Sequence, residues 1–121
     1  YVQTELLPAY LAKADVFLFQ TGFDIWGLVL NEAMAAGLPV IASVHAGATP
    51  DLVVEGKTGF QIDYRNTEQL ADRMAQCVQM GKERLREMGE QGRIHLMNKA
   101  SLTSSAKGFV SALPNHLFSK K

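Results

Sequence analysis

Two short apolar segments, residues 16–19 and 38–42, are the feature that most restricts the fold of this chain. Each is a continuous run of hydrophobic residues, which is typical of a strand buried on both faces of a parallel sheet. A helical segment lies between them over residues 27–36, and Gly37 stands where glycine commonly ends a helix. The order of strand, helix and strand predicts a right-handed crossover between two parallel strands.

The alternation continues with a third strand over residues 60–62, and the chain then becomes helical. Further helices are expected over residues 4–13, 50–54, 66–81, 82–97 and 101–113. Their expected N-caps are Thr4, Asn66 or Thr67, and Ser101. This order predicts an α/β, partial Rossmann-like three-layer fold, in which a short parallel sheet is followed by C-terminal helices. Since a complete doubly wound domain commonly has about six strands, roughly half a domain is expected here.

Composition restricts the class of protein. The 121 residues suit one domain, with 12 basic and 12 acidic side chains. The charge balance offers no basic surface for nucleic acid and no polybasic patch for anionic lipid. No apolar run is long enough to span a bilayer, and no signal peptide is recognised. We therefore expect a cytoplasmic protein, with peripheral attachment to a membrane as an alternative.

Two further expectations concern the chain and its cysteine. The single cysteine, Cys77, excludes an internal disulfide and occupies an apolar helical position, so it is expected in the core. Because the sequence begins at Tyr1 rather than Met, we expect it to be part of a longer protein.

Ligands of open α/β sheets bind beyond the carboxyl ends of the strands. Two loops leave such ends here, over residues 20–26 and 43–49. The first leads into a helix at Gly27, and a helix N-terminus offers free N–H groups and partial positive charge to a phosphate. Gly27 has no side chain to block the approach of phosphate to the N–H groups of Gly27 and Leu28. The alternative is that Gly27 only permits a tight turn.

Two carboxylates near this helix each have two interpretations. Glu32 lies on an otherwise apolar helix, four residues after Leu28 and on the same face. Either Glu32 faces a narrow solvent strip with Asn31, or it accepts hydrogen bonds from the hydroxyls of a ribose. Asp24 precedes the helix. Its carboxylate either stabilises the helix dipole, by about 0.3–1 kcal/mol, or accepts hydroxyls of a bound sugar.

Residues 24–42 read DIWGLVLNEAMAAGLPVIA. They closely resemble the signature of the retaining GT-B glycosyltransferases of the glycosyl transferases group 1 family. That signature has two acidic residues separated by seven, then Ala-Met-Ala, a glycine and Pro-Val-Ile. Most of residues 4–112 share the resemblance. It implies that residues 1–113 form the C-terminal half of a nucleotide-sugar-binding domain and that residues 114–121 are a polar tail.

The resemblance also implies residue roles. Asp24 stands where the family has its first acidic residue, which contacts hydroxyls of the donor sugar, and we count it as catalytic. The donor-binding residues are Trp26, Gly27, Leu28 and Glu32. The N–H groups of Gly27 and Leu28 would meet the diphosphate, and Glu32 would hold the ribose. No cofactor and no metal are implied.

The implied activity is transfer of a sugar from a nucleoside diphosphate sugar, expected to be UDP- or GDP-linked, to an acceptor hydroxyl with retention of configuration. The acceptor, which is a glycan, a lipid or a small molecule, would bind an N-terminal domain outside this chain, so the chain alone is expected to be inactive. The alternative from another class is a non-catalytic GT-B-like module that binds a nucleotide or a protein. A nucleotide-sugar epimerase is a nearer alternative that fits residues 24–42 less well.

Several positions depart from the family pattern, and others have more than one possible role. Asp24 is shorter than the usual glutamate, and Trp26 replaces a usual phenylalanine, so its ring is expected to pack as a core aromatic. Loop 43–49 is one residue longer than usual, with Ala48 where a second glycine is common. His45 in that loop either faces the site or is solvated. Surface positions are expected for His95 and His116. The free edge of the first strand predicts self-association or marginal stability of the chain.

Overall fold

A computed structural model describes residues 3–112. It begins with a 3-10 turn, Thr4–Leu6, and continues with α1 (Leu7–Leu11), β1 (Phe17–Phe19), α2 (Leu28–Ala35), β2 (Val40–Ser43), α3 (Thr49–Leu52), β3 (Gly59–Ile62), α4 (Thr67–Ala100) and α5 (Leu102–Ala112). The strands form one parallel sheet in the order β1-β2-β3, which confirms the predicted α/β fold. The expected end of the last helix at residue 113 and the polar tail lie outside the described residues.

β2 is the central strand and is buried along its whole length. Val40 and Ala42 pack with Leu30 and Met34 of α2, while Ile41 packs with Cys77 on the opposite face. Helices therefore cover both faces of the sheet, which confirms the three-layer arrangement. The prediction of a strand buried on both faces is correct for β2, because it has a strand on each side and a helix on each face.

The same prediction is wrong for β1, where Leu18 is 41% exposed. Among the described residues β1 pairs only with β2, through Leu18 opposite Ile41 and its neighbours. A strand at the edge of a sheet has fewer neighbours to cover its side chains, and apolar composition alone does not distinguish an edge strand from a central one.

α2 ends as its sequence predicts. Gly37 adopts the left-handed conformation, with a φ of 78°. Its N–H donates to Met34 O at 3.0 Å, and the N–H of Leu38 donates to Ala33 O at 3.1 Å. These two bonds form a Schellman motif, in which a glycine satisfies carbonyl groups at a helix end. The chain then enters β2 directly, so this turn determines where α2 and β2 meet.

The predicted cap at Thr4 is wrong, although the caps at Asn66 and Ser101 are confirmed. Asn66 Oδ1 accepts from Gln69 N at 2.9 Å, and Ser101 Oγ accepts from Ser104 N at 3.1 Å. An α-helix that began at Thr4 would need the nitrogen of Pro8 to donate to Thr4 O, but proline has no N–H. Leu7 N–H donates to Thr4 O instead, so the chain forms a 3-10 turn before α1.

α4 consists of two arms that meet at Gly81, where φ is 74° and ψ is 166°. The helix boundary predicted at Gly81 is therefore present as a kink. The second arm buries Leu85, Met88 and Leu96, which recur at helical spacing along one face. No helix of residues 3–112 combines the length and the hydropathy needed to cross a bilayer.

Candidate functional site

The loops that follow β1 and β2 lie side by side at the carboxyl edge of the sheet. The N–H of Asp24 donates to His45 O at 3.2 Å, and Asp24 O accepts from Gly47 N at 3.0 Å. Ala48 N donates to Trp26 O at 2.9 Å. These three bonds continue the pairing of the two strands beyond the sheet, so they join the two loops that the sequence selected as ligand-binding.

Glycines allow this close approach. Gly27 has a φ of 91° and a ψ of 61°, which L side chains rarely adopt. A Cβ at Gly27 would also lie 2.7 Å from Cε1 of the Phe19 ring. At Gly47 a Cβ would overlap the carbonyl oxygen of Ile25. The tight turn expected at Gly27 is therefore present, and Gly47 is the residue that lets the second loop contact the first.

The N-terminus of α2 opens on this edge. The first helical hydrogen bond runs from Leu30 N to Gly27 O at 2.9 Å. The N–H groups of Gly27, Leu28 and Val29 precede it, so they have no acceptor within the helix. The apolar side chains beside them are largely exposed, with Phe23 at 78%, Ile25 at 85% and Leu28 at 70%. The arrangement presents backbone donors beside an uncovered apolar surface, which suits an anion attached to a larger group.

Asp24 is half-buried, and its Oδ1 accepts a hydrogen bond from the N–H of Trp26 at 3.0 Å. This is an Asx turn, in which a carboxylate accepts from the backbone two residues on. Among residues 3–112, Oδ1 is the one carboxylate oxygen of Asp24 with a hydrogen-bond donor. The other oxygen is available to a hydroxyl of a ligand in the same loop.

The expected core position of Trp26 is wrong. Its side chain is 36% exposed, and Nε1 donates to Asn31 Oδ1 at 3.0 Å. An indole N–H needs a partner, and Asn31 in the first turns of α2 provides one. The indole therefore lies along the start of α2, where it can border a ligand bound at Gly27.

Glu32 is exposed, one helical turn after Leu28. Leu30, Ala33 and Met34 carry the buried face of α2, so Glu32 lies on the other side of the helix. No ion pair to Glu32 occurs within residues 3–112. Its carboxylate is free to meet solvent or a ligand that covers this face.

His45 is half-buried and faces the end of β3. Its Nε2 lies 3.5 Å from Asp63 Oδ1, and its ring meets the Tyr64 ring edge-on with centroids 5.1 Å apart. The Arg65 backbone N–H donates to Asp63 at 3.0 Å, which lowers the pKa of that carboxyl, and the His45 ring lowers it further. Asp63 and Tyr64 were not among the predicted site residues, although their position directly after β3 is a signal that could have identified them.

The remaining candidates have structural surroundings. Cys77 is buried in the core, as predicted, and burial raises the pKa of its thiol. His95, expected at the surface, is half-buried, and its Nε2 lies 3.2 Å from Asp51 O at the end of α3. His116 lies outside the described residues. Within residues 3–112, no three His, Cys, Asp or Glu side chains are grouped closely enough to hold a metal ion.

Comparison with known proteins identifies relatives of this chain. Residues 1–95 match the family described as glycosyl transferases group 1. A GDP-mannose-dependent α-(1-6)-phosphatidylinositol monomannoside mannosyltransferase of Mycobacterium tuberculosis is 40% identical over 99 residues, which cover 76% of this chain and 25% of the relative. An N-acetyl-α-D-glucosaminyl L-malate synthase of Bacillus anthracis is 36% identical over 83 residues, which cover 69% and 21%.

Solved structures agree on the fold. A sucrose-phosphate synthase from Thermosynechococcus elongatus superimposes with a TM-score of 0.77 at 26% identity, over 97% of this chain and 29% of the other. The C-terminal domain of a group 1 family glycosyl transferase from Francisella tularensis gives a TM-score of 0.73 at 20% identity, over 84% of this chain and 51% of that domain. The matched residues of this chain span 25% and 21% of the length of the two curated relatives named above. With its three parallel strands and this match, the chain belongs to the glycosyl transferases group 1 family and has the fold of a GT-B C-terminal domain.

Proposed function

We propose that this chain is the donor-binding part of a glycosyltransferase that moves a sugar from a UDP- or GDP-linked donor to an acceptor hydroxyl with retention of configuration. The observation that carries the proposal is the N-terminus of α2. Within residues 3–112 the N–H groups of Gly27 and Leu28 have no backbone acceptor, Asp24 precedes them in the same loop, and Glu32 is exposed one turn further along. The mannosyltransferase relative named above is GDP-mannose-dependent, which supports a nucleoside diphosphate donor.

The diphosphate is assigned to the start of α2. The partial positive charge of a helix N-terminus favours an anion. Gly27 itself is buried, with the Phe19 ring close to the place of a side chain, whereas Leu28 beside it is 70% exposed. Negative charge grows on the diphosphate as the bond to the sugar breaks, so these fixed donors stabilise the transition state more than the bound donor. The proposal requires no metal ion in this chain, because the amide groups supply positive charge. Further cationic groups would come from outside the chain.

The two carboxylates are assigned to the groups on either side of the diphosphate. Glu32 is about 6 Å along the helix from Leu28, at about 1.5 Å per residue, which is a suitable step from phosphate to ribose. Its carboxylate would accept the ribose hydroxyls. Asp24, before the helix, would accept hydroxyls of the sugar that is transferred. The acceptor would bind a domain outside this chain.

The test is calorimetric titration of the full-length protein with UDP, GDP, UDP-glucose and GDP-mannose, for wild type and Glu32→Ala. Loss of a hydrogen bond to a charged group costs about 1.5–3 kcal/mol, so the Kd of the bound nucleotide should rise roughly 10- to 150-fold. Glu83→Ala is the matched control, because Glu83 is also an exposed helical glutamate but lies on α4.

Binding that does not depend on Glu32, or no binding of any of the four compounds, would contradict the proposal. Binding that depends on Glu32 without sugar transfer to any acceptor would instead support the non-catalytic module. Retention of configuration is read separately, from the anomeric proton coupling of the product in an NMR spectrum.

A further inference from the structure

One group of side chains at the carboxyl edge lies outside the residues assigned to the donor. It consists of His45 from the loop after β2 and Asp63, Tyr64 and Arg65 from the loop after β3. We call it the Tyr64 cluster. Its members lie in the loops that follow β2 and β3, and they contact the loop after β1, which carries Asp24. This cluster contacts residues 20–24 through hydrogen bonds and through packing of the Tyr64 ring.

Tyr64 contacts the beginning of the loop after β1 in two ways. Its backbone carbonyl accepts a hydrogen bond from Gln20 Nε2 at 3.1 Å. Its ring lies against Gly22 so closely that a Cβ there would be 3.3 Å from Tyr64 Cζ. Gln20 and Gly22 are more than 40 residues away in sequence, so these are tertiary contacts that link the first strand to the third across β2.

The Tyr64 ring is itself held on two sides. The His45 ring packs edge-on against it, with an interplanar angle of 83°. Arg65 Nε donates to Tyr64 Oη at 3.1 Å, and the guanidinium lies 5.2 Å from the ring centroid. Asp63 joins the cluster to the backbone through the Arg65 N–H and stands 3.5 Å from His45 Nε2. These contacts restrict the motion of the Tyr64 ring, which therefore packs against Gly22 in a fixed orientation.

His45 extends the same cluster to Asp24. Its backbone carbonyl accepts the N–H of Asp24, and Gly47 two residues later donates to Asp24 O. The loop is therefore held at Gln20 and Gly22 by Tyr64 and at Asp24 by the residues beside His45. Asp24, whose side chain is assigned to the donor sugar, is the last of these held positions.

We infer that Tyr64 is a positioning residue, which holds the loop of residues 20–24 so that Asp24 meets the donor sugar in a fixed orientation. The catalytic part of this inference rests on the proposed function. Within residues 3–112, the hydrogen bonds and ring contacts of Tyr64 do not involve the N–H groups of Gly27 and Leu28. Its removal should therefore affect the sugar more than the diphosphate.

The first test needs no ligand. Amide hydrogen exchange of the full-length protein is followed by mass spectrometry on peptides that cover residues 20–27, for wild type, Tyr64→Ala and Tyr64→Phe. Without the ring, the amides of this segment should exchange about tenfold faster or more. Tyr64→Phe loses the hydrogen bond from Arg65 Nε but keeps the ring contacts with Gly22 and His45, so exchange over residues 20–27 should stay as in wild type. Peptides over residues 33–40, which contain the end of α2, should not change.

A second variant keeps the inference testable if Tyr64→Ala does not fold. Gln20→Ala removes the hydrogen bond to the Tyr64 carbonyl from an exposed side chain, and it should also accelerate exchange over residues 20–27. Unchanged exchange in both variants, or equal acceleration in Tyr64→Phe and Tyr64→Ala, would overturn the inference.

The second test separates positioning from binding. Transfer by Tyr64→Ala is expected to lose about tenfold in kcat, because a small misplacement of a reacting group is costly. The Kd for UDP or GDP should stay within about twofold of wild type, and Tyr64→Phe should restore kcat. A matched rise in Kd with no change in kcat would overturn the inference. If wild type binds neither nucleotide, the proposed function fails while the exchange experiment still decides whether Tyr64 holds the loop.

Discussion

Gly27 and Gly47 determine how closely the two loops of the candidate site approach each other. Gly27 is required by its backbone conformation and by the Phe19 ring beside it. Gly47 has an ordinary φ, and it is required because the Ile25 carbonyl occupies the space of a side chain. One glycine is therefore needed for its conformation and the other for contact. Only the need at Gly27 could be predicted from the sequence, because left-handed turns have a local signature and backbone contacts between loops do not.

Gly47→Ala tests the contact. The new methyl group would overlap a backbone oxygen that has no rotamer to adopt, so the loops after β1 and β2 must separate. We expect the free energy of unfolding to fall by about 1–3 kcal/mol, as in other overpacked positions. Separation should also weaken UDP or GDP binding about tenfold, since it moves the start of α2. Denaturant titration and calorimetry measure the two effects.

Gly56→Ala is the control for this prediction. Gly56 has a φ of 71° and open space around it. Alanine there should cost about 1–2 kcal/mol of backbone strain and leave nucleotide binding unchanged. If Gly47→Ala retained the wild-type affinity for nucleotide, the two loops would not control the site.

The second arm of α4 shows why a helix was easier to predict from the sequence than the way in which it packs against its neighbours. Gly89 and Gly92 lie in this arm, and each glycine is expected to weaken a helix by up to about 1 kcal/mol relative to alanine. In the structure both are buried. A Cβ at Gly89 would overlap the carbonyl oxygen of Gly37, and one at Gly92 would lie 3.5 Å from Met34 Cε. Gly89 therefore lets α4 cross the end of α2 at short distance, whereas a side chain at Gly92 would make only ordinary van der Waals contact.

Gly89→Ala is therefore expected to destabilise the protein although alanine is the better helix former. The overlap with a backbone carbonyl should outweigh the gain in propensity, for a net loss of about 1 kcal/mol or more in the free energy of unfolding. Gly108→Ala, in α5 with no atom near its Cβ position, should be neutral or stabilising by up to about 1 kcal/mol. A stabilised Gly89→Ala protein in thermal or denaturant unfolding would show that α4 does not need this close crossing.

The helices of this chain bury the central strand β2 but leave the edge strand β1 partly exposed. Beside β1 lies an apolar groove of about 520 Å³, whose lining includes Leu18, Met74 and Val78. These side chains are 41%, 49% and 81% exposed, and the outer edge of β1 has no strand partner within residues 3–112. An exposed strand edge beside apolar side chains favours pairing with another chain.

The isolated chain of 121 residues is accordingly expected to self-associate. Analytical ultracentrifugation should show a weight-average mass that rises with concentration in the range of tens of micromolar. Val78→Lys should reduce this association, because it places a charge in the groove. Val110→Lys is the control, since Val110 is a half-exposed valine on α5. A single monomeric species at high concentration would contradict the prediction.

Local patterns in the sequence specified the order of elements, the end of α2 at Gly37, the caps at Asn66 and Ser101, and the family signature over residues 24–42. Each of these depends on residues within a few positions of one another, where hydrogen bonds and helical or strand periodicity are fixed by neighbours. The same local order placed the candidate loops at the carboxyl edge, because parallel strands with helical crossovers leave their loops there. Local patterns failed at Thr4. The residue that prevents an α-helix from beginning there is Pro8, four positions later, which has no N–H to donate to Thr4 O.

Tertiary structure alone decided which surfaces meet. The exposure of Leu18, the surface position of Trp26, the contact of Gly89 with Gly37, and the Tyr64 cluster all depend on residues brought together from distant parts of the chain. Tyr64 reaches Gly22 only because β1 and β3 lie on either side of β2. Packing selects such contacts through shape and burial over the whole domain, and a single sequence records no separate signal for each of them.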